Sequence, residues 1–347
     1  MEGIIETRTL RPGYQISQVI KGGWQLSEGH SNSVSEDPVT DMLAFAERGI
    51  STFDCADIYT GVEDLIGRFI EANRRLSQPH AVRVHTKYVP DWDELGSLTK
   101  VKVEAIIDRS LQRLKMERLD MVQFHWWNYA APGCVEAALW LQELQQAGKI
   151  ELLSTTNFNT EKTQEILQAG VPLVTTQVQY SLLDPRPEKA LVGLCAEHDM
   201  HLLCYGTLAG GFLSERWLGK SQPGALENRS LIKYLLMIEE AGGWALFQEL
   251  LQLLKRIANK HNATIAAVAS RWVLDRERVG AVIIGSRNAT HLDRYAEIFR
   301  LSLDERDRND IEDIRQQMHT PDLDVFDLER DKEGRHGRIM KYNLNET

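Results

Sequence analysis

Four residues stand out for the chemistry they could share: Asp54, Tyr59, Lys87 and His125. The apolar, β-branched approach Gly49-Ile50-Ser51-Thr52-Phe53 reads as a short buried strand that delivers Asp54, and a turn then brings up Tyr59. Val82 to Lys87 reads as a second strand ending in Lys87, and Leu119 to His125 as a third ending in His125. The separations, 33 residues from Asp54 to Lys87 and 38 from Lys87 to His125, each leave room for a crossover helix and a return strand. A carboxylate, a phenol, an ammonium and an imidazole would then line one rim. A free phenol, with a pKa of about 10, is too weak an acid at neutral pH unless a cation stands beside it. Lys87 suits that role, with Asp54 neutralising and orienting the ammonium.

The elements that must position these groups alternate along the chain. Ile16 to Gly23 reads as the first strand, with Trp24 at its carboxyl end, and Asp37-Pro38 as the start of a helix that runs to Arg48 and stops at Gly49. A helix from Val62 to Arg74 follows the Asp54 strand. Another, starting near Thr99 with Val103, Ile106, Ile107, Leu111 and Leu114 as its apolar stripe, feeds the His125 strand. Helices at Val135 to Ala147, Glu161 to Ala169 and Lys189 to His198 then alternate with strands at Ile150 to Thr156, Leu173 to Gln179 and His201 to Tyr205.

Residues 212 to 262 break the rhythm, because they are too many for one connection and hold two helical stretches, Leu231 to Ile238 and Leu246 to Ile257. A long insertion at a strand's carboxyl end usually serves a barrel's working rim. Helix Thr264 to Leu274 and strand Ala281 to Gly285 complete an eighth unit. The expected fold is α/β, a closed (β/α)8 TIM barrel with a helical insertion after strand seven. An open doubly wound sheet fits the pattern too, but no GxGxxG follows the first strand. The domain expectation is a single unit over residues 1–317 and a polar C-terminal extension over 318–347.

The 347 residues carry a net charge of −10 and a sequence pI of about 5.6, which argues against nonspecific binding to nucleic acid or anionic membranes. Cys55, Cys134, Cys195 and Cys204 form no CxxC pair and no disulfide framework, so a reducing compartment is the simplest reading. Residues 1–20 mix charges with short apolar runs, with neither a signal peptide nor a membrane span among them. A soluble cytoplasmic protein is expected.

Asp54, Tyr59, Lys87 and His125, in that order on successive strand ends, resemble the catalytic tetrad of the aldo-keto reductase superfamily. The resemblance extends through Gly22-Gly23-Trp24, Ser110 to Leu114, Phe124-His125-Trp126, Thr156-Asn157-Phe158, Gln177, Tyr205-Gly206-Thr207-Leu208 and Ile284-Gly285-Ser286-Arg287, covering roughly residues 15 to 300. It implies a reaction in which hydride reaches a carbonyl carbon and a proton reaches its oxygen. No side chain donates hydride, so a nicotinamide must. Tyr59 is then the proton donor and His125 the hydrogen-bond partner of the carbonyl oxygen.

By the same resemblance Thr156, Asn157 and Gln177 hold the nicotinamide carboxamide, Tyr205 stacks on the ring, and Gly23, Trp24, Asp54, Gly206 and Leu208 border the cofactor. Gly285, Ser286 and Arg287 resemble the segment that grips the adenosine phosphate, with His291 and Arg294 beyond it. A guanidinium suits a 2′-phosphate, so NADP(H) is expected over NAD(H). Trp24, Tyr59, His125 and Trp126 are the expected substrate-binding residues, and the substrate a small carbonyl compound or alcohol.

The sequence departs from the common pattern at Thr156 and Gly206, where Ser is usual, at Ile284 and Trp127, where Pro is frequent, and at Tyr295, where Asn is frequent. None of these replaces a tetrad residue. Taken singly, Asp54 is an ordinary turn residue, His125 a packed one, Asn157 a helix cap and Tyr205 a core aromatic. Two other functions compete: a cofactor-binding regulatory subunit with little turnover, and a metal-dependent barrel hydrolase using His30, His85, His125 and Asp54. No HxH or HExxH spacing supports a metal site, and none is expected.

Overall fold

The computed structural model describes residues 5–27 and 35–345; His30 lies outside the described residues. The chain opens with an antiparallel hairpin, β1 (Thr7–Arg11) and β2 (Tyr14–Ser17). The sequence reads Ile16 to Gly23 as one strand, but it divides. Ile16 and Ser17 end β2, and the barrel starts only at β3 (Val19–Gly22). The break sits at Ser17, whose hydroxyl donates to the Val19 carbonyl and accepts from the amides of Ser51 and Thr52, offering the backbone a local alternative to a continuous ladder. Leu10, Tyr14 and Ile16 of the hairpin share one apolar cluster with Ile20, Met121, Val174, Leu203, Ala281 and Ile283 from the barrel strands.

Eight parallel strands close the barrel: β3, β4 (Thr52–Asp54), β5 (Arg83–Tyr88), β6 (Leu119–Phe124), β7 (Ile150–Thr156), β8 (Leu173–Gln179), β9 (His201–Tyr205) and β10 (Val279–Gly285), with β10 pairing back onto β3. Helices α1 (Pro38–Glu47), α2 (Val62–Arg74), α3 (Lys100–Leu114), α4 (Cys134–Gln146), α5 (Thr160–Gln168) and α6 (Leu191–Glu197) alternate with the strands. Their starts follow the capping chemistry. Asp37 accepts from the Thr40 amide with Pro38 in the first turn, and Thr99 and Asn159 cap α3 and α5 in the same way. Buried Val103, Ile107 and Leu114 pack α3 inward, while Ile106 and Leu111 border that face.

Between β9 and β10 lie α7 (Arg229–Glu240), α8 (Gly243–Lys260) and α9 (Ile265–Leu274). Helix α8 buries Phe247, Leu250, Leu251, Leu253, Leu254 and Ile257. Tyr234 of α7 reaches the end of β9, where a Cβ on Gly206 would stand 2.7 Å from its hydroxyl; Gly206 also has φ +71°. The glycine at 206 is therefore a consequence of α7 lying there, in a backbone conformation that other residues adopt only under strain.

After β10 come short helices α10 (Leu292–Tyr295) and α11 (Glu297–Arg300), then α12 (Glu305–Arg315). The remaining residues, read from sequence as a polar extension, cross the barrel mouth. Val325, Phe326, Glu329 and His336 are buried, and α13 (Asp327–Arg330) carries the contacts described below. Among the described residues no helix is long and apolar enough to cross a membrane. All four cysteines are buried and free.

Candidate active site

Asp54 ends β4 and lies beside Gly22 of β3 and His85 of β5 in the parallel register. A Cβ on Gly23 would stand 2.6 Å from the Asp54 carbonyl oxygen, so only glycine lets the two strand ends close up. Lys87, near the end of β5, donates from Nζ to Asp54 Oδ2 at 2.6 Å and to the Cys55 carbonyl at 2.8 Å, and both side chains of the pair are 5% exposed. The ring of Tyr59 lies 4.9 Å from Lys87 Nζ and 4.9 Å from the Trp24 ring. Carboxylate, ammonium and phenol thus come together at one end of the barrel.

Burial pushes the Lys87 ammonium toward losing its proton, but the Asp54 carboxylate together with Tyr59 and Cys55 more than offsets this and the net shift is upward. Tyr59 departs from the sequence expectation. Burial, joined by the charges of Asp54 and Cys55, raises its pKa by more than Lys87 lowers it, so the phenol is a weaker acid here than in water. The cation opposes the rise without reversing it.

His125 follows β6. Its Nδ1 lies 2.9 Å from the Thr156 carbonyl oxygen, an atom that can only accept, so Nδ1 carries the proton and neutral His125 presents Nε2 as an acceptor. That Nε2 is buried without a partner. Burial first, and then the charge of Arg330, lower the His125 pKa to about 3. The imidazole is walled by the rings of Trp127 at 4.3 Å, Phe326 at 5.6 Å and Phe158 at 6.4 Å.

Trp126, expected on the substrate side, is fully buried, with its indole N–H donating to the Asn128 carbonyl and its ring 5.9 Å from that of Phe124. Trp127 takes the place beside His125, and its own indole nitrogen is buried without a partner. Two adjacent tryptophans after a strand cannot be told apart by residue type.

Gln177, expected at the nicotinamide carboxamide, also meets the tetrad. Its amide donates to Asp54 Oδ1 at 2.6 Å and to Gln123 Oε1 at 2.8 Å, and Gln123 donates to the same Asp54 oxygen at 2.8 Å. Gln123 did not stand out in the sequence, although strand alternation puts it on the His125 face two residues earlier. Asn157 has φ +60° and accepts from the Tyr205 hydroxyl at 2.9 Å. Thr156 is buried, Tyr205 and Leu208 are half-buried, and His291 and Arg294 are exposed.

At the seam where β10 meets β3, Gln25 lies against Gly285, where a Cβ would fall 2.1 Å from its amide nitrogen, and Gln25 Oε1 is buried without a partner. The Ser286 hydroxyl donates to the Asn288 carbonyl, and Arg287 is half-exposed with Glu227 4.0 Å away. Among the described residues no cluster of His, Cys, Asp or Glu could hold a metal ion, and His85 is paired with the Tyr14 hydroxyl at 3.2 Å.

The aldo/keto reductase family model matches residues 18–316. The chain belongs to the aldo/keto reductase family. As an aldo/keto reductase it is an oxidoreductase on a TIM barrel, and the family uses NAD(P)H on small carbonyl substrates. It is similar to the flagellar radial spoke protein 5 of Chlamydomonas reinhardtii, 28% identical over 257 residues, 63% of this chain and only 49% of that protein's length. It is also similar to the NADH-specific methylglyoxal reductase of Escherichia coli, 24% identical over 299 residues, 78% of this chain and 86% of that one. Among solved structures it resembles a glycerol dehydrogenase from Gluconobacter oxydans with a TM-score of 0.74 at 24% identity, covering 93% of this chain and 97% of that one; at this identity the likeness concerns the fold.

Proposed function

We propose that this aldo/keto reductase is an NADPH-dependent reductase of aldehydes, ketones or sugars that also runs in the alcohol-oxidising direction, with Tyr59 as the proton donor. The observation that carries the reading is the buried Lys87–Asp54 pair at 2.6 Å with the Tyr59 ring 4.9 Å from the ammonium. A bound reduced nicotinamide would supply the hydride. Lys87 opposes the loss of acidity that burial imposes on Tyr59, and Asp54, held by Gln123 and Gln177, keeps Lys87 charged and in place. His125, fixed as an acceptor, cannot donate to the carbonyl oxygen as the sequence leads one to expect, but suits the hydroxyl hydrogen of the alcohol form.

The residues present fit such a cofactor. A half-buried Tyr205 ring is anchored through Asn157, and the unpartnered Gln25 oxygen borders the seam that leads to Ser286 and Arg287. Arg287 favours a 2′-phosphate and hence NADP(H). The nearby Glu227 and the NADH-specific relative make the direct comparison of NADPH with NADH part of the test.

The closure of Phe326 and Trp127 over His125 supports a second reading, a regulatory subunit that binds cofactor but turns over slowly. Screening aldehydes, ketones and sugars by loss of NADPH absorbance separates the two. Turnover that disappears in Tyr59→Phe while NADPH binding persists supports the reductase; turnover retained in that variant removes Tyr59 from the role.

A further inference from the structure

Arg330 belongs to the C-terminal segment, beyond the residues that the family model matches. Its Nη1 donates to the carbonyl oxygens of Trp126 and of Trp127, the latter at 2.8 Å. Nη2 donates to the Tyr129 hydroxyl at 2.7 Å and to the Asn157 carbonyl. The guanidinium carbon also lies 3.8 Å from the Tyr129 ring centroid, and the Tyr129 hydroxyl accepts in turn from the Asn159 amide at 3.0 Å.

These acceptors come from just two places. Trp126, Trp127 and Tyr129 follow β6 and carry His125 with them; Asn157 and Asn159 follow β7. His125 is tied to the second loop through the Thr156 carbonyl, and Asn157 is tied onward to Tyr205. Three carbonyl dipoles and a phenol oxygen directed at one point repel one another unless a cation with several donors fills it. A planar guanidinium with five N–H groups meets that demand, whereas an ammonium offers a point charge and three donors.

The segment that delivers Arg330 is seated independently. Glu329 is fully buried between Arg186 at 3.4 Å and Lys233 of α7 at 3.0 Å, while Phe326 sets its ring edge-on 5.6 Å from that of His125. Glu329 locks the segment down, and its neighbour reaches across the mouth.

We propose that Arg330 is a positioning residue. Held over the mouth by the C-terminal segment, it sets the relative placement of the loops that bear His125 and Asn157, so the site is complete only with that segment docked. The proposal rests on the reading above of His125 as the partner of the reacting oxygen and Asn157 as a cofactor residue. It adds a requirement that the barrel itself does not contain.

The test compares wild type, Arg330→Met, which keeps much of the stem's packing, Arg330→Lys, which keeps charge and stem, and Tyr59→Phe. The full-length proteins are assayed with NADPH and one aldehyde that wild type reduces. In Arg330→Met, kcat should fall at least about tenfold, the loss expected when a charged hydrogen-bonding group is removed, while KM for the aldehyde stays within about twofold. Arg330→Lys should fold like wild type yet recover only a minor part of kcat. If Arg330→Met does not fold, Arg330→Lys alone decides the matter.

In Arg330→Ala, added guanidinium ion should raise kcat and methylammonium should not. Wild-type kcat in Arg330→Lys, or equal rescue by both cations, overturns the proposal. Turnover that survives in Tyr59→Phe condemns the catalytic reading instead, whatever the Arg330 variants do.

Discussion

Glu329 and Arg186, 143 residues apart in sequence, meet at 3.4 Å with side chains 0% and 1% exposed. Arg186 also forks onto Asp184 at 2.7 and 2.8 Å, and Lys233 stands 3.0 Å from Glu329. Two cations and two anions thus balance out of water. Burial alone would raise the Glu329 pKa, but Lys233 and Arg186 hold it well below the usual carboxylate range. This cluster joins the loop after β8, helix α7 and the C-terminal segment.

Replacing Glu329 with Gln leaves Arg186 and Lys233 with Asp184 alone. Removing one partner of a buried pair costs about 3–5 kcal/mol, and the urea midpoint should drop accordingly. The depressed carboxylate stabilises the wild type above the unfolded pKa of about 4.3, and that contribution fades as pH falls below it. Wild type should therefore lose more of its acid stability below pH 4 than Glu329→Gln does. Equal loss in both proteins would show that the cluster does not hold the segment.

Buried and half-buried histidines govern stability at milder acidity. Burial lowers His125 to about 3 and His85 to about 4, and His201 is likewise lowered to about 4. The unfolded chain protonates these groups near pH 6.5 while the folded chain does not, so stability declines as pH falls from about 6.5 toward 4. In His85→Gln the melting temperature should fall less steeply between pH 7 and 5. An unchanged slope would show that His85 titrates normally in the fold.

Gln177 supports Asp54 directly through its amide. Gln177→Ala removes one of the two amides that donate to Asp54 Oδ1 and should lower the stability of the cofactor-free protein by about 1–3 kcal/mol. A contact made only to cofactor would leave the cofactor-free melting temperature where it was. Thermal unfolding with and without NADPH separates the two roles.

The two tryptophans after His125 should part company on substitution. Trp126→Phe leaves a gap in a fully buried position and should reduce stability with little change in KM for the carbonyl. Trp127→Phe removes an unpartnered indole N–H beside His125 and should alter kcat/KM instead. Steady-state kinetics beside denaturation curves distinguish them, and a reversed pattern would return the substrate side to Trp126.

Much of the barrel is legible in the residues themselves. The apolar stripes of α3 and α8 and the caps Asp37 and Thr99 are local signals, and the structure places these elements within a few residues of expectation. The continuous first strand that the sequence suggests is interrupted at Ser17 through contacts with Ser51 and Thr52, partners more than thirty positions away. The sequence does not tell that Trp126 is fully buried while Trp127 packs on His125, because the facing of two adjacent side chains depends on how the loop leaves the strand. Composition marks the C-terminal segment as polar; what it hides is that Glu329 finds Arg186 and Lys233.

By itself, the amino-acid order determined the alternation of strands and helices and the placement of Asp54, Lys87 and His125 at or just beyond strand ends. Periodicity and capping act over a few residues, and parallel strands in one barrel must end on the same side. Only the tertiary structure decided which atoms each group meets: Gln177 on Asp54, the proton of His125 on Nδ1, Phe326 and Arg330 over the mouth. Those contacts join residues dozens to hundreds of positions apart, and desolvation, which sets the acidity of Tyr59 and His125, exists only once the chain has closed around them.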